Sequence, residues 1–522
     1  MTALANNSIV AVIGSGAMGA GIAQVAAAAG YRVKLYDTRP EAVSKALQDI
    51  GKMYTKLAEK GRMTAQEAQD ATARLQAAGS LNDVADASLV VEAIVENLDV
   101  KRSLFADLEA LVGDDCILAT NTSSISVTAI AAKLRRPERL VGMHFFNPVP
   151  LMALVEVISG LATSEEVAAT VHDTSIAWGK MPVHAKSTPG FIVNRVARPF
   201  YAEGWRLLNE QAGDAATIDA VLREAGGFRM GPFELMDLIG HDVNFSVTQS
   251  VFGAYFNDPR FTPSVLQQEM VNAGFLGRKS GRGFYHYGEG AGIPAAQQES
   301  AQVRPDVVAL SSAVGSDGRG HSGIVHALVQ RLEASGISVT SRVTLEGQVS
   351  DTAPALHCNG AAIYLTDGRT ATQRAHDNQH ADTVLFDLAL DYGSAKRVAL
   401  ARADQCSDEA YNAAVGLFQA AGLTVTRLDD VPGLAVMRTV AMLANEAADA
   451  VNQGVCTAHA VDIAMQKGVN YPRGPLAWAD AVGIGHIVTV LHHLAQGYGE
   501  DRYRVSPLLR RKLANGAKFH AE

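Results

Sequence analysis

The first third of the chain alternates short apolar runs with longer stretches of helical composition. Residues 8–13, 31–36, 89–95, 116–119, 139–146 and 154–158 are the apolar runs, bounded by polar turns, and they predict strands. Those at 89–95 and 116–119 carry no alternating polar face and read as buried parallel strands. Between the runs, residues 20–29, 41 to about 76, and 125–134 have helical composition. This alternation predicts an α/β domain. From 189 onward the pattern changes to long helical stretches with terminal glycines, Pro232 opening one of them, so an all-α domain follows.

Composition narrows the partners. With 522 residues, 48% hydrophobic and 19% charged, the chain is ordinary globular material with room for large cores. A net charge of −9 argues against nucleic acid as the main partner, while a local basic pocket can still take a polyanionic small molecule. Cys116, Cys358, Cys406 and Cys456 are far apart, which indicates neither a disulfide framework nor a metal knuckle and fits a reducing cytoplasm. The N-terminus lacks a basic segment leading into an apolar core, and no apolar run approaches the ~20 residues that span a bilayer. A cytoplasmic protein with no membrane partner is expected.

The first predicted strand runs directly into Gly14-Ser15-Gly16-Ala17-Met18-Gly19, followed by a helical stretch. This is G-x-G-x-x-G in strand–turn–helix context. Gly14 permits the tight turn, Gly16 lets backbone approach a pyrophosphate, Gly19 lets helix and strand pack closely, and the helix N-terminus offers N–H groups to phosphate. The second strand ends in Asp37, eighteen residues after Gly19, where an acid accepts from an adenosine ribose. Asp37 would repel a 2′-phosphate, so NAD is favoured, although Arg39 keeps NADP open. Lys45, Lys52, Lys56 and Lys60 fit a solvated helix face, or a place to meet substrate phosphates.

The next strands end in Glu96-Asn97 and in Thr120-Asn121-Thr122-Ser123-Ser124. In open α/β sheets ligands bind beyond the carboxyl ends of the strands, so both clusters should face the cofactor; Ser124 or Ser126 could equally cap the following helix. The run 139–146 leads into His144-Phe145-Phe146-Asn147-Pro148, and the next holds Glu156. A histidine beside two phenylalanines is more commonly a hydrogen-bonded core residue. At the mouth of a dinucleotide fold, however, a neutral imidazole can take a proton from a hydroxyl while a neighbouring carboxylate fixes its tautomer and stabilises the imidazolium. Asn194, near the junction with the helical domain, could be structural or could grip a substrate.

GSGAMG, VEAIVEN (91–97), TNTSSISV (120–127), HFFNPVP (144–150), LVEVI (154–158), TPGFIVNR (188–195), GPFEL (231–235) and GRKSGRGFY (277–285) resemble, in order, the 3-hydroxyacyl-CoA dehydrogenase family. The resemblance covers about residues 8–287. It implies a Rossmann-type NAD-binding domain with an all-α domain behind it, and NAD-dependent oxidation of (S)-3-hydroxyacyl-CoA in the cleft between them. It makes His144 the base and Glu156 its partner, with Ser123 and Asn194 at the 3-oxygen and thioester. Gly14, Gly16, Ala17, Met18, Gly19, Asp37, Glu96, Lys101, Ser123, Asn147 and Lys279 become cofactor contacts. Lys60 is the candidate CoA contact, Met53 standing where a serine is often seen. The long layout resembles bacterial enzymes acting on 3-hydroxybutyryl-CoA or, in phenylacetate breakdown, 3-hydroxyadipyl-CoA. A terminal carboxylate would want a cation at the far end of the acyl pocket, and Arg198, Arg206 and Arg229 are candidates. A CoA-independent sugar-acid dehydrogenase resembling L-gulonate dehydrogenase and a non-catalytic relative resembling lambda-crystallin are the alternatives.

Residues 288–304, rich in Gly, Ala and Gln, read as a linker. Beyond it the chain repeats itself: Pro189-Gly190 recurs as Pro432-Gly433, Glu203 as Glu446, Asp219 as Asp462, Gly231-Pro232 as Gly474-Pro475, Asp237 as Asp480 and Gly240 as Gly483, all at an offset of 243. At that offset His144 falls on Asp387, Asn147 on Leu390, Glu156 on Ala399 and Asn194 on Met437, so the copy lacks the chemistry. Gly315, Gly318 and Gly320 are at most a remnant of the glycine loop. The expected order is an NAD-binding domain (1–188), a helical domain (189–287), the linker, a degenerate Rossmann-like domain (305–430) and a second helical domain (431–522). The two helical domains should pair as an internal pseudo-dimer, which leaves room for homo-oligomers.

Overall fold

All six predicted runs become strands of one sheet, and two edge strands join them. β1 (Ile9–Ile13), β2 (Arg32–Tyr36), β3 (Leu75–Ala77), β4 (Leu89–Glu92), β5 (Ile117–Thr120), β6 (Leu140–Phe145), β7 (Leu154–Ser159) and β8 (Met181–Lys186) lie in the order 3-2-1-4-5-6-7-8. Neighbours are parallel except β6 and β7. A computed structural model describes residues 3–311, 322–342 and 355–520. Gly315, Gly318 and Gly320 lie outside the described residues.

The stretch expected to be helical from 41 to about 76 divides. Pro40–Glu59 and Ala65–Ala73 are helices, the second started by a Thr64–Glu67 capping box, and β3 follows. Gln76 and Ala77 are exposed, so β3 carries no apolar signature. β4 stops at Glu92, three residues short of its apolar run, because the N–H of Ile94 turns back to donate to Glu92 Oε1 at 2.8 Å. Val10, Val12, Val33, Leu35, Val91, Val141 and Val157 carry the core on which the helix Ala17–Ala28 packs.

The chain forms two units. The first comprises Met1–Arg195 and Gln453–Val469; the second comprises Val196–Asn452 and Asn470–Glu522. The helix Ala458–Gly468, which the repeat placed in the second helical domain, packs on β7 and β8 of the first unit. A Cβ on Gly468 would stand 2.6 Å from Leu154 Cδ2, so glycine allows that approach without displacing the Leu154 side chain.

The second unit holds a seven-stranded mixed sheet of β9 (Val307–Ser311), β10 (Ser338–Arg342), β11 (Leu356–Cys358), β12 (Ala361–Leu365), β13 (Thr383–Phe386), β14 (Arg397–Arg402) and β15 (Thr424–Arg427), ordered 10-9-11-12-13-14-15. β13 and β14 are antiparallel and β14 and β15 parallel, as β6, β7 and β8 are. Residues 288–304 run along this unit, with Gln297 N donating to Thr217 Oγ1, Glu299 N to the Val425 carbonyl and Gln302 N to Gln419 Oε1.

The backbone repeats where the sequence does. Left-handed φ values recur at the offset of 243: Gly190 and Gly433 (74° and 76°), Phe191 and Leu434 (47° and 51°), Gly240 and Gly483 (99° and 97°). Phe191 and Leu434 hold a conformation costly for a side-chain-bearing residue, and its recurrence reports the same helix start twice. The helices Arg198–Asn209 and Val436–Asn452 pack on each other, Arg438 pairing with Glu203 through two buried side chains.

Candidate active site

The glycine loop has the shape a pyrophosphate needs. Gly14 takes φ of 105°, and a Cβ there would stand 2.5 Å from the Ala93 carbonyl oxygen. A Cβ on Gly19 would lie 1.8 Å from Gly14 O. Gly16 differs, because its Cβ would meet nothing within 4 Å. Its missing side chain therefore opens the approach to the N-terminus of the helix Ala17–Ala28, whose first turn has neither a side-chain cap nor an acid. Ala17 and Met18 are the first residues of that turn.

Asp37, just beyond β2, accepts from Ser15 N at 2.9 Å and Ser15 Oγ at 2.8 Å, which ties it to the loop. Partial burial works to raise its pKa, but the Ser15 bonds and the Arg39 N–H outweigh it and hold it below the usual carboxylate value. It is an anion at neutral pH, placed to accept from a ribose. These residues fit a dinucleotide.

The polar clusters beyond β4 and β5 meet. Glu96 Oε1 accepts from Thr122 Oγ1 at 2.6 Å, Ser123 N at 2.9 Å and Ser124 N at 3.1 Å. Desolvation works to raise its pKa; the Thr122 hydroxyl and the Lys101 ammonium overcome it and lower it. Lys101 is buried, its Nζ 2.5 Å from Glu92 Oε1 and 3.2 Å from Glu96 Oε2. Glu92, fully buried, also accepts from Thr120 Oγ1 at 2.7 Å. Sequence reasoning passed over Glu92, although an acid closing a buried strand must be paired and Lys101 lies nine residues on. Ser126 caps its helix by accepting from Ala129 N, while Ser124 Oγ turns to Glu96.

His144 and Glu156 face each other directly across the antiparallel β6–β7 pair. His144 Nδ1 is 2.7 Å from Glu156 Oε2, and both side chains are buried. Because a carboxylate accepts at Nδ1, that nitrogen carries the hydrogen in the neutral ring, and Nε2 keeps the lone pair. The other Glu156 oxygen accepts from Ile192 N at 3.0 Å and Val193 N at 2.9 Å. One carboxylate therefore orients the imidazole and holds the turn that delivers Asn194. Asn194 Nδ2 in turn donates to the Ser123 carbonyl at 3.3 Å. Phe146 and Phe191 flank the imidazole, with centroids 4.5 and 5.9 Å away.

The segment after His144 is seated on the glycine helix. A Cβ on Gly21 would stand 2.8 Å from Val149 Cβ, so the residue there must be glycine for Val149 to dock. Buried Lys180 holds the other side by donating to the carbonyls of Val149 and Met152. Nothing local in the sequence marks Lys180. Asn147 is exposed between these anchors. Lys60, at the C-terminus of Pro40–Glu59, is exposed, and Met53 is 45% exposed. Lys279 belongs to the second unit, where it pairs with Asp242 at 2.5 Å.

The sequence patterns of three described domains match this chain: "3-hydroxyacyl-CoA dehydrogenase, NAD binding domain" over residues 9–188, "3-hydroxyacyl-CoA dehydrogenase, C-terminal domain" over 190–287 and again over 433–520, and "3-hydroxybutyryl-CoA dehydrogenase reduced Rossmann-fold domain" over 363–432. A 3-hydroxyadipyl-CoA dehydrogenase of Escherichia coli is 43% identical over 97% of this chain and 98% of its own length. The chain belongs to the 3-hydroxyacyl-CoA dehydrogenase family. A probable 3-hydroxybutyryl-CoA dehydrogenase of Bacillus subtilis is 42% identical over 53% of this chain and 96% of its own. Among solved structures, a 3-hydroxybutyryl-CoA dehydrogenase from E. coli superposes with a TM-score of 0.84 at 42% identity, covering 98% of this chain and all of that one. As a 3-hydroxyacyl-CoA dehydrogenase the chain is an NAD-dependent oxidoreductase of 3-hydroxyacyl-CoA. The matched pattern also repeats where the sequence repeats, and the domain between the two helical parts carries the reduced Rossmann description.

Proposed function

We propose that the chain oxidises a short-chain or dicarboxylic (S)-3-hydroxyacyl-CoA to the 3-oxoacyl-CoA in the cytoplasm, in fatty-acid or phenylacetate breakdown. The observation that carries the catalytic assignment is Glu156 serving His144 with one oxygen and the Asn194 turn with the other. Bound NAD would supply the acceptor for the hydride that leaves C3. His144 Nε2 takes the proton of the 3-hydroxyl, and Glu156 stabilises the imidazolium that results. Ser123 and Asn194, joined to each other, hold the 3-oxygen and the thioester. The glycine loop (Gly14, Gly16, Ala17, Met18, Gly19) and Asp37 hold the cofactor, Asn147 borders its nicotinamide, Glu96, Lys101 and Lys279 are further NAD contacts by resemblance to the family, and Lys60 meets the CoA. Among the described residues no helix is long and apolar enough to cross a membrane.

The 43% identical relative named for 3-hydroxyadipyl-CoA and the TM-score of 0.84 to a structure named for 3-hydroxybutyryl-CoA support both acyl classes. The packing of Arg198–Asn209 on Val436–Asn452 supports an internal counterpart of a subunit interface. His144→Gln should bind NADH with unchanged affinity and lose about 10²–10⁴ in turnover of 3-hydroxybutyryl-CoA, read as NADH absorbance. Unchanged turnover would reject the assignment.

A further inference from the structure

Within the first unit, the helix Ala458–Gly468 ends on the face of the sheet that carries His144 and Glu156. Leu154 and Glu156 lie two residues apart on β7 and so share that face, and His144, directly opposite Glu156 on β6, shares it too. A Cβ on Gly468 would stand 2.6 Å from Leu154 Cδ2, 3.1 Å from Val193 Cγ2 and 3.7 Å from Phe146 Cε1. Each of these three is one step from the pair. Leu154 neighbours Glu156 on the strand face, Val193 donates its N–H to Glu156 Oε1, and Phe146 flanks the imidazole. Carbon atoms pack best at about 3.5–4.0 Å, so a methyl at 468 would push its neighbours by about 1 Å.

The segment that leads into this helix is tied to the same site. Lys186 N, at the end of β8, donates to the Val455 carbonyl at 2.9 Å, and buried Arg195, next to Asn194, donates to Gln453 Oε1 at 2.9 Å. Between these ties and the helix stands Cys456. Burial first, and then the Glu156 carboxylate, push its thiol up to about 12, so it is a neutral neighbour of that carboxylate. The repeat supplies the comparison. At the offset of 243, Ala225 takes the place of Gly468, following the helix Ala215–Glu224 that packs on β14, and there Asp387 and Ala399 replace His144 and Glu156. Glu210 takes the place of Gln453 and pairs at 3.0 Å with Arg438, the counterpart of Arg195. The copy without histidine and glutamate thus carries a methyl and a carboxylate where the copy that has them carries neither.

We infer that residues 453–469, which the repeat assigns to the second module, are a positioning element of the first module's active site, with Gly468 setting the seat of Leu154 and Val193 and through them the geometry of Glu156 and His144. The inference rests on the reading that His144 is the base and that Asn194 holds the 3-oxygen. These residues act through Glu156, which orients the imidazole with one oxygen and holds the Asn194 turn with the other. A shift of β7 or of Val193 therefore moves base and substrate grip together. The second module contributes to turnover in this way without a histidine or glutamate of its own at the equivalent positions.

The test reads the single-turnover rate of NADH appearance from 3-hydroxybutyryl-CoA or 3-hydroxyadipyl-CoA, per NAD-binding site, beside NADH affinity and melting temperature. Gly468→Ala should lower that rate roughly 10- to 100-fold, the effect of a misplacement of about 1 Å, and leave NADH affinity unchanged. Adding Leu154→Val, which removes the atom the methyl meets first, should recover most of the loss. A helix that only stabilised the fold would lower the melting temperature and leave the rate per site as it was. An unchanged rate in Gly468→Ala therefore overturns the inference whatever the melting temperature does, and so does a loss that Leu154→Val leaves in place. Should Gly468→Ala fail to fold, Gln453→Leu decides, because Gln453 is exposed and its replacement removes one acceptor of Arg195. A fall in rate at unchanged NADH affinity then supports the inference, and an unchanged rate overturns it. An unmodified enzyme that forms NADH from neither substrate would instead sink the proposed function on which the inference stands.

Discussion

At the scale of single residues, two glycines of one motif do different jobs. A side chain on Gly19 would collide with the Gly14 carbonyl, whereas one on Gly16 would enter open space. Gly19→Ala should therefore lower the melting temperature of the cofactor-free protein. Gly16→Ala should melt like the wild type and bind NAD at least about tenfold more weakly, since the methyl occupies the pyrophosphate's approach; equal melting and equal NAD affinity would refute the distinction. The place of Asp37 beside the glycine loop was readable in advance, because an acid closing the second strand of this motif sits next to that loop. Lys180 was not, because its partners are backbone carbonyls, and a carbonyl leaves no mark on the residue that displays it.

At the scale of elements, the repeat exposes what Glu156 does besides orienting His144. In the second module the position of His144 is occupied by Asp387, whose Oδ2 accepts from Ala435 N at 2.9 Å and Val436 N at 2.7 Å and whose Oδ1 accepts from Met437 N at 2.9 Å. The same helix start is thus clamped by a carboxylate just beyond the neighbouring strand β13, and the copy keeps the clamp while lacking the histidine. Glu156→Gln should consequently lower turnover by about 10²-fold or more and also speed amide hydrogen exchange at Ile192 and Val193. Turnover loss with unchanged exchange would leave only the His144 role. Burial pushes the Asp387 carboxyl up to about 6 against the lowering effect of its backbone donors. The folded state therefore holds this proton while the unfolded chain releases it near the ordinary carboxyl value. The corresponding stabilisation is present below that value and is lost as pH rises through about 6. In denaturant titrations the stability of Asp387→Asn should rise relative to the wild type between about pH 4 and 6.5, and a flat difference would contradict the linkage.

At the scale of the whole molecule, the two modules exchange helices. The helix Ala458–Gly468 packs on β7 and β8, and its counterpart in the repeat, Ala215–Glu224, packs on β14, the counterpart of β7. Arg438 pairs with Glu203 and Arg260 with Glu446, with all four side chains buried. Removing one partner strands a buried charge, so Arg438→Met should cost about 3–5 kcal/mol in denaturant unfolding. Changing Glu203 to Leu as well should restore much of the loss. Residues 1–287 expressed alone should aggregate or self-associate, since the face of Arg198–Asn209 would lose its cover; a monomeric, fully active fragment would refute the internal pairing.

The sequence by itself determined the alternation of strand and helix, the dinucleotide loop, the acid after the second strand, and a repeat in which only one copy carries histidine and glutamate. These are local or periodic signals, set by turn sterics, side-chain periodicity and residue identity, and they survive being read one position at a time. The tertiary structure decided what depends on partners remote along the chain: the direct facing of His144 and Glu156 across an antiparallel pair, the burial of Lys101 between Glu92 and Glu96, and the seating of Gly468 against Leu154 and Val193. Strand register, the pairing of buried charges and the close approach of a helix to a sheet are properties of several segments at once, and no single segment encodes them.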